Sequence, residues 1–216
     1  MAILRFIVAL NYFIVWLTLC ITRILEMINV SIVTYQTPLD DVNNVLTQCN
    51  KSGVVRNIYV IDNAPSDKLR DMIISSSKVI YVHNPSNPGY GAGHNIGIRQ
   101  SLIGDVDYHL VINADVIFES AMLEGMLFFC LANPEVSLLA PKMFYEDGTI
   151  QFSCKLLPTP LNMFLRAFLP SGLRTSIDAA YQLENMDHNK PIQAPYVSGA
   201  FMLLKCATLK QVGIFD

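Results

Sequence analysis

Residues 79–97, VIYVHNPSNPGYGAGHNIG, decide how the rest of the chain is read. The apolar run 79–82 predicts a buried strand. A loop with two prolines follows, and then three glycines at alternate positions, Gly89, Gly91 and Gly93. His94-Asn95-Ile96-Gly97 opens a helical pattern that continues to about Ile103. A loop built on glycine brings backbone N–H groups close to a ligand, because no Cβ stands in the way and positive φ is allowed. A helix starting there aims its unbonded N–H groups and positive dipole end at the same place. A phosphate or a nucleotide suits that chemistry.

Working outward from this stretch, strands alternate with helices. The β-branched run 29–35, NVSIVTY, predicts a buried strand. Pro38 fits a first helical turn with Thr37 as N-cap and Asp40 and Asp41 complementing the dipole. Leu39, Val42, Val45, Leu46 and Cys49 keep helical spacing until Ser52-Gly53. Residues 57–61 predict a second strand, 66–76 a helix capped by Ser66, and 108–113 (YHLVIN) a fourth strand. Strands joined by helical crossovers imply a parallel, doubly wound α/β sheet. Ligands of such sheets bind beyond the carboxyl ends of the strands. Thr34-Tyr35, Asp62-Asn63, Asn84 and Asn113-Ala114-Asp115 all fall at those ends.

The second half has a different pattern. Residues 119–131 predict an apolar helix, and 136–145 a strand running into the tight turn Glu146-Asp147-Gly148. Residues 149–156 return as the second arm of a hairpin, which Pro158 and Pro160 end. From 161 to 188 no period is clear, and short helices with a mobile loop are expected. Residues 195–205 predict one last strand carrying Ser198-Gly199-Ala200, with no helix after it.

Composition bounds the possibilities. The 216 residues make one ordinary domain able to bury a core. A net charge of −3 gives no basic field for nucleic acid, so no nucleic-acid partner is expected. Five widely spaced cysteines without a C-x-x-C pair argue against disulfides or zinc. The apolar excess lies in residues 1–26, where 6–22 are nearly all apolar between Arg5 and Arg23. About 17 residues reach the lower edge of a membrane span. This segment is either a membrane anchor or an extension ahead of a true start at Met27, and residues 27–216 form the domain.

Seven ordered blocks, VSIVTY, YVIDNAPSD, NPGYGAGHNIG, LVINADV, DGTIQFSCKLLPTP, VSGAFML and GIFD, resemble family 2 glycosyltransferases, closest to the rhamnosyltransferase-like branch. The resemblance runs from Val30 onward and implies a GT-A fold, a Rossmann-like, mainly parallel sheet with an added hairpin. It also implies a dTDP- or UDP-sugar donor and a saccharide or polyprenyl-linked acceptor, in bacterial cell-surface polysaccharide synthesis at the cytoplasmic membrane face. In this family the general base lies in an acidic pair downstream of GIFD, where this chain has already ended. Asp178, Glu184 and Asp187 are off the motif. A C-terminally incomplete fragment with the donor site and without the base is therefore expected, with weak or absent transfer.

The roles follow from chemistry beside that resemblance. A departing nucleoside diphosphate is stabilised by a divalent cation, Mg²⁺ or Mn²⁺, which takes hard oxygen ligands. Asp115 is the candidate metal ligand, with Asn113 beside it where related families carry a second aspartate. A turn-capping role for Asp115 is the plain alternative. Asp62 can accept from the N3–H of uracil or thymine while Thr34 and Tyr35 edge or stack the ring; its plain alternative is an N-cap before Pro65. Asn63, Asn84, Gly89, Gly91 and Asn95 are read as lining the nucleotide cleft, although the asparagines can also bond their own loops. Ser198, Gly199 and Ala200 resemble the acceptor-side loop, or mark a bend in a strand. His94 is set aside as a structural histidine. Two other readings remain, a non-catalytic nucleotide-sugar binder and a dehydrogenase-type dinucleotide binder; the latter asks for its glycines after the first strand, not the third.

Overall fold

A computed structural model of the chain describes residues 27–104, 106–160, 168 and 178–216. The apolar segment 1–26, and most of the stretch read as a mobile loop, lie outside them. Among the described residues, no helix is long and apolar enough to cross a membrane. The chain divides into two compact units, Met1–Leu139 with Leu203–Asp216, and Ala140–Met202.

The first unit is built on strands β1 (Ile28–Thr34), β2 (Val55–Asp62), β3 (Val79–His83) and β4 (Tyr108–Asn113). Helices α1 (Leu39–Lys51), α2 (Tyr90–Ile103) and α3 (Ala121–Ala132) connect or follow them. After α3 come the short β5 (Leu138–Leu139), then β10 (Phe201–Lys205) and α4 (Cys206–Val212). The sheet order is β3-β2-β1-β4-β10-β5, with β1 to β4 parallel and β5 antiparallel to β10. This is the doubly wound, mainly parallel sheet that the alternation predicts. The order reverses between β1 and β4, so the binding crevice of such a sheet opens there.

β1 is buried along almost all its length because both faces are covered. Ile28, Val30 and Ile32 bury completely, as do Leu110 and Ile112 of β4. Val42, Val45, Leu46 and Cys49 form the buried stripe of α1, which is the predicted one. α2 approaches β1 much more closely than an ordinary helix, and glycine is the reason. A Cβ on Gly93 would sit 2.8 Å from Val33 Cγ2, and one on Gly97 would sit 2.8 Å from Ser31 Cβ.

Several local expectations change. α2 begins at Tyr90, not His94, with Gly89 as N-cap at φ 99°, so Gly91 and Gly93 lie inside the helix. Pro38, not Thr37, is the N-cap position of α1, and the Thr37 hydroxyl instead accepts the Tyr35 N–H at 3.4 Å. Residues 66–76 form only a 3₁₀ turn, Lys68–Asp71, because they offer no apolar stripe to bury. β3 is a half-exposed edge strand, not a buried one. A helix, α4, does follow the last strand.

The second unit contains two small ladders. β6 (Met143–Phe144) pairs with β7 (Ile150–Gln151) across the predicted turn, where Gly148 takes φ 81° and Asp147 accepts from the Thr149 N–H and hydroxyl. β8 (Cys154–Lys155) pairs with β9 (Tyr196–Val197). The strand expected over 136–145 is therefore two short ones, β5 and β6, in different sheets, and the strand expected over 195–205 is broken between β9 and β10.

The glycine contacts yield a stability test. Gly97→Ala should lower the unfolding free energy by about 1–3 kcal/mol through overpacking. Gly125→Ala in α3, whose Cβ would meet nothing within 4 Å, should raise it by about 0.5–1 kcal/mol. Urea denaturation of the two variants reads the opposite signs.

Candidate functional site

Strand register sets the site. Thr34 lies opposite Asp62 and Asp62 opposite His83, while Asn113 pairs with Val33 one row below. Asp62 is buried and accepts three hydrogen bonds, from the Thr34 hydroxyl (3.3 Å), the Ala64 N–H (3.0 Å) and the Tyr81 hydroxyl (2.6 Å). It ties the ends of β1, β2 and β3 together. Tyr81 holds its proton well above the ordinary range, through burial first and its bond to Asp62 second, so it stays a donor. Arg70 stands 4.7 Å over the Tyr81 ring.

The asparagines brace the same edge. Asn63 is buried, and its Oδ1 accepts from Asn84 Nδ2 at 2.9 Å. Asn84 Oδ1 accepts from the Ser86 hydroxyl, and the Asn84 N–H donates to Asp62 O. Asn95 uses both ends of its amide on one distant residue: Nδ2 donates to Phe215 O (2.7 Å) and Oδ1 accepts from the Phe215 N–H (3.1 Å). Gly91 makes room for this segment, since a Cβ there would lie 3.0 Å from Phe215 Cβ. Asn95 and Gly91, read from sequence as cleft residues, are thus engaged by the Gly213–Asp216 segment. Gly89 keeps open space around it.

Tyr35 and Asp115 are exposed at the strand ends. Beside Asp115, the Tyr90 hydroxyl donates to Asn113 Oδ1 at 2.7 Å. Burial, and then the Asp115 charge, hold that phenol above its ordinary pKa, so it too stays protonated. Tyr90 and Tyr81 were both missed by sequence reasoning. Tyr90 stands within the glycine stretch itself, and Tyr81 is half-buried between the exposed Ile80 and the half-buried Val82 on β3.

A metal fits here in one way. Among the described residues no group of three His, Cys, Asp or Glu side chains gathers to hold a cation. One exposed carboxylate can still hold a hard cation whose other ligands are diphosphate oxygens and water. Asp115 meets that requirement and would be its protein ligand.

Beneath the site runs a buried polar chain. Ser101 donates to Gly97 O (3.4 Å) and therefore accepts from His109 Nδ1–H (2.7 Å). His109 Nε2 then accepts from the Ser31 hydroxyl (2.8 Å), and Ser31 accepts from His94 Nδ1–H (2.6 Å). This direction satisfies every proton with both imidazoles neutral. His94 Nε2 is left as a buried lone pair without a partner among the described residues. The Tyr90 ring packs against the His94 ring at 4.3 Å between centroids. A fully buried His94 cannot serve as general base, in keeping with its being set aside.

Ser198, Gly199 and Ala200 belong to the second unit, where they follow β9. The Ser198 N–H donates to Ser153 O at 2.8 Å.

Residues 30–213 match the family described as Glycosyl transferase family 2. The chain belongs to that family. The match takes in β1 from Val30, all of β2, β3 and β4, and the whole strand-end cluster. The chain is 25% identical over 193 residues to the low-salt glycan biosynthesis hexosyltransferase Agl10 of Haloferax volcanii, across 84% of this chain and 58% of that protein. It is 28% identical over 142 residues to the N-acetylglucosaminyl-diphospho-decaprenol L-rhamnosyltransferase of Mycobacterium tuberculosis, across 61% of this chain and 45% of that one. The chain thus spans about half the length of these curated relatives. The mannosyltransferase PcManGT from Pyrobaculum calidifontis, solved with GDP-Man and Mn²⁺, superposes with a TM-score of 0.52 at 14% identity, over 88% of this chain and 47% of that one. The family 2 chain has the GT-A fold that the sequence blocks imply.

The histidine chain gives a pH test. Burial lowers His94 to about 3, and burial followed by the neighbouring His94 lowers His109 to about 3. Unfolded imidazoles titrate near 6.5, so the unfolded state binds more protons below that pH and stability is lost as pH falls. Between pH 6.5 and 5 the two groups should steepen the loss by up to about 2.7 kcal/mol per pH unit. Urea denaturation across that window should show the slope, and His109→Gln should remove about half of it.

Proposed function

We propose that this chain binds a nucleoside-diphosphate sugar at the β1–β4 crevice and takes part in transferring the sugar, with inversion, to a saccharide or polyprenyl-linked acceptor. The observation that carries this is the strand register that brings Thr34, Asp62 and Asn113 to the strand ends at the switch point of a family 2 fold, with the exposed Asp115 two residues beyond Asn113. Tyr35, exposed beside Thr34, is suited to stack a pyrimidine. Asp62 offers a buried, fixed carboxylate to an imide N–H. Asn63, Asn84, Gly89, Gly91 and Asn95 shape and brace the crevice wall, and Ser198, Gly199 and Ala200 are assigned to the acceptor side. Asp115 would hold Mg²⁺ or Mn²⁺, which stabilises the charge on the departing diphosphate.

The mycobacterial relative's name supports a rhamnosyl donor and a lipid-linked acceptor; for the carrier of the sugar we take dTDP first and UDP second. An acceptor of that kind brings the work to the cytoplasmic face of the membrane, in bacterial cell-surface polysaccharide synthesis. The acceptor proton needs a carboxylate as general base, and we assign none of this chain's residues to it.

Calorimetric titration of the full chain with dTDP and UDP, with and without Mn²⁺, tests the donor site. Binding that requires the cation is expected, and Asp115→Ala should weaken it at least about 10-fold, the loss that even indirect partners of a metal produce. A folded chain that binds neither nucleotide would overturn the proposal. Binding with no sugar transfer to any supplied acceptor would favour the non-catalytic binder.

A further inference from the structure

We infer that Tyr90 is a positioning residue that turns the Asn113 amide so that its nitrogen, not its oxygen, faces the donor diphosphate. This rests on the donor-site reading above and goes beyond it, because it assigns Asn113 to phosphate and not to the cation. The Tyr90 hydroxyl donates to Asn113 Oδ1 at 2.7 Å. That bond takes one of the two lone pairs on the amide's only acceptor atom and holds the carbonyl toward Tyr90. Asn113 Nδ2 has no protein partner among the described residues, so two N–H donors remain for a ligand.

The geometry holds Tyr90 in place from both sides. Gly89 at φ 99° starts α2 immediately before it, and the His94 ring packs edge-on against it at 4.3 Å. His94 in turn is fixed by Ser31 at 2.6 Å. The amide orientation at the end of β4 is therefore set from the core, through Ser31, His94 and Tyr90. An aspartate at position 113 would present oxygen to a cation. An asparagine with its carbonyl already bonded presents hydrogen to an anion. At the end of β4 the carboxylate charge then comes from Asp115, and Asn113 grips a phosphate oxygen that Asp115 would otherwise repel.

Two variants of the full chain give opposite signs for the competing geometries. Tyr90→Phe keeps the ring on His94 and removes only the hydroxyl. It should leave the melting temperature unchanged and raise the Kd for UDP and dTDP in Mn²⁺ about 3- to 10-fold, the effect of one mispositioned hydrogen bond. Asn113→Asp replaces a donor by an anion and should weaken the same binding about 10-fold or more. Unchanged nucleotide affinity in Tyr90→Phe would overturn the inference. So would tighter Mn²⁺-dependent binding in Asn113→Asp, because it would mean that position 113 serves the cation through oxygen. Failure of the unaltered chain to bind either nucleotide is a different result, which rejects the donor site and this inference together.

Discussion

The close approach of helix α2 to strand β1 is the constraint on which the rest depends. Gly93 and Gly97 leave no side chain between the helix and Val33 and Ser31. A helix drawn in that far brings its own polar groups into the core, so His94 and Ser101 must find partners there. Ser31 and His109 supply them from β1 and β4. The packing and the polar chain are thus one arrangement. Neither is stable without the other, because an unbonded buried imidazole or hydroxyl is costly.

That arrangement also fixes where the functional edge lies. With α2 pressed on β1, its first turn stands over the ends of β1 and β4, and Tyr90 reaches Asn113. The same turn receives the Gly213–Asp216 segment, clamped by Asn95 and admitted by Gly91. Residues 120 positions apart are held by two hydrogen bonds from a single amide.

Much of this was legible in the sequence where the signal is local and periodic. The strand at 108–113 and the stripe of α1 follow directly from apolar spacing. The convergence of Thr34, Asp62, Asn84 and Asn113 follows from strand polarity in a parallel sheet. The roles of the glycines were not legible, because alternate glycines look alike whether they cradle an anion or admit a neighbour. Of the glycines at 89, 91, 93 and 97, Gly89 alone has positive φ and open space among the described residues, while Gly91, Gly93 and Gly97 are spacers. Asn95 and Asn63 share the difficulty: an amide side chain serves a ligand or a distant backbone equally well, and its partner is set by tertiary contact. The helix expected at 66–76 failed for a simpler reason, since good capping residues cannot hold a helix with nothing to bury.

The two carboxylates at the strand ends stand in different environments, which suit them to the different tasks proposed for them. Asp62 is buried and wrapped by three neutral or backbone donors, which hold its charge in place without a cation. A divalent ion would have to strip those donors away to reach it. Asp115 is exposed, so a hydrated cation approaches it at little desolvation cost. Placing a second carboxylate at 113 would put like charges at one strand end, two residues apart. The amide there avoids that repulsion, and its bond to Tyr90 leaves donors toward the same space. On the proposed reading a diphosphate brings its own negative charge, so Asp115, a cation and the oriented amide would balance one another only with the ligand present. On that reading the neutral residue in the Asn-Ala-Asp run would be the matched half of an anion site.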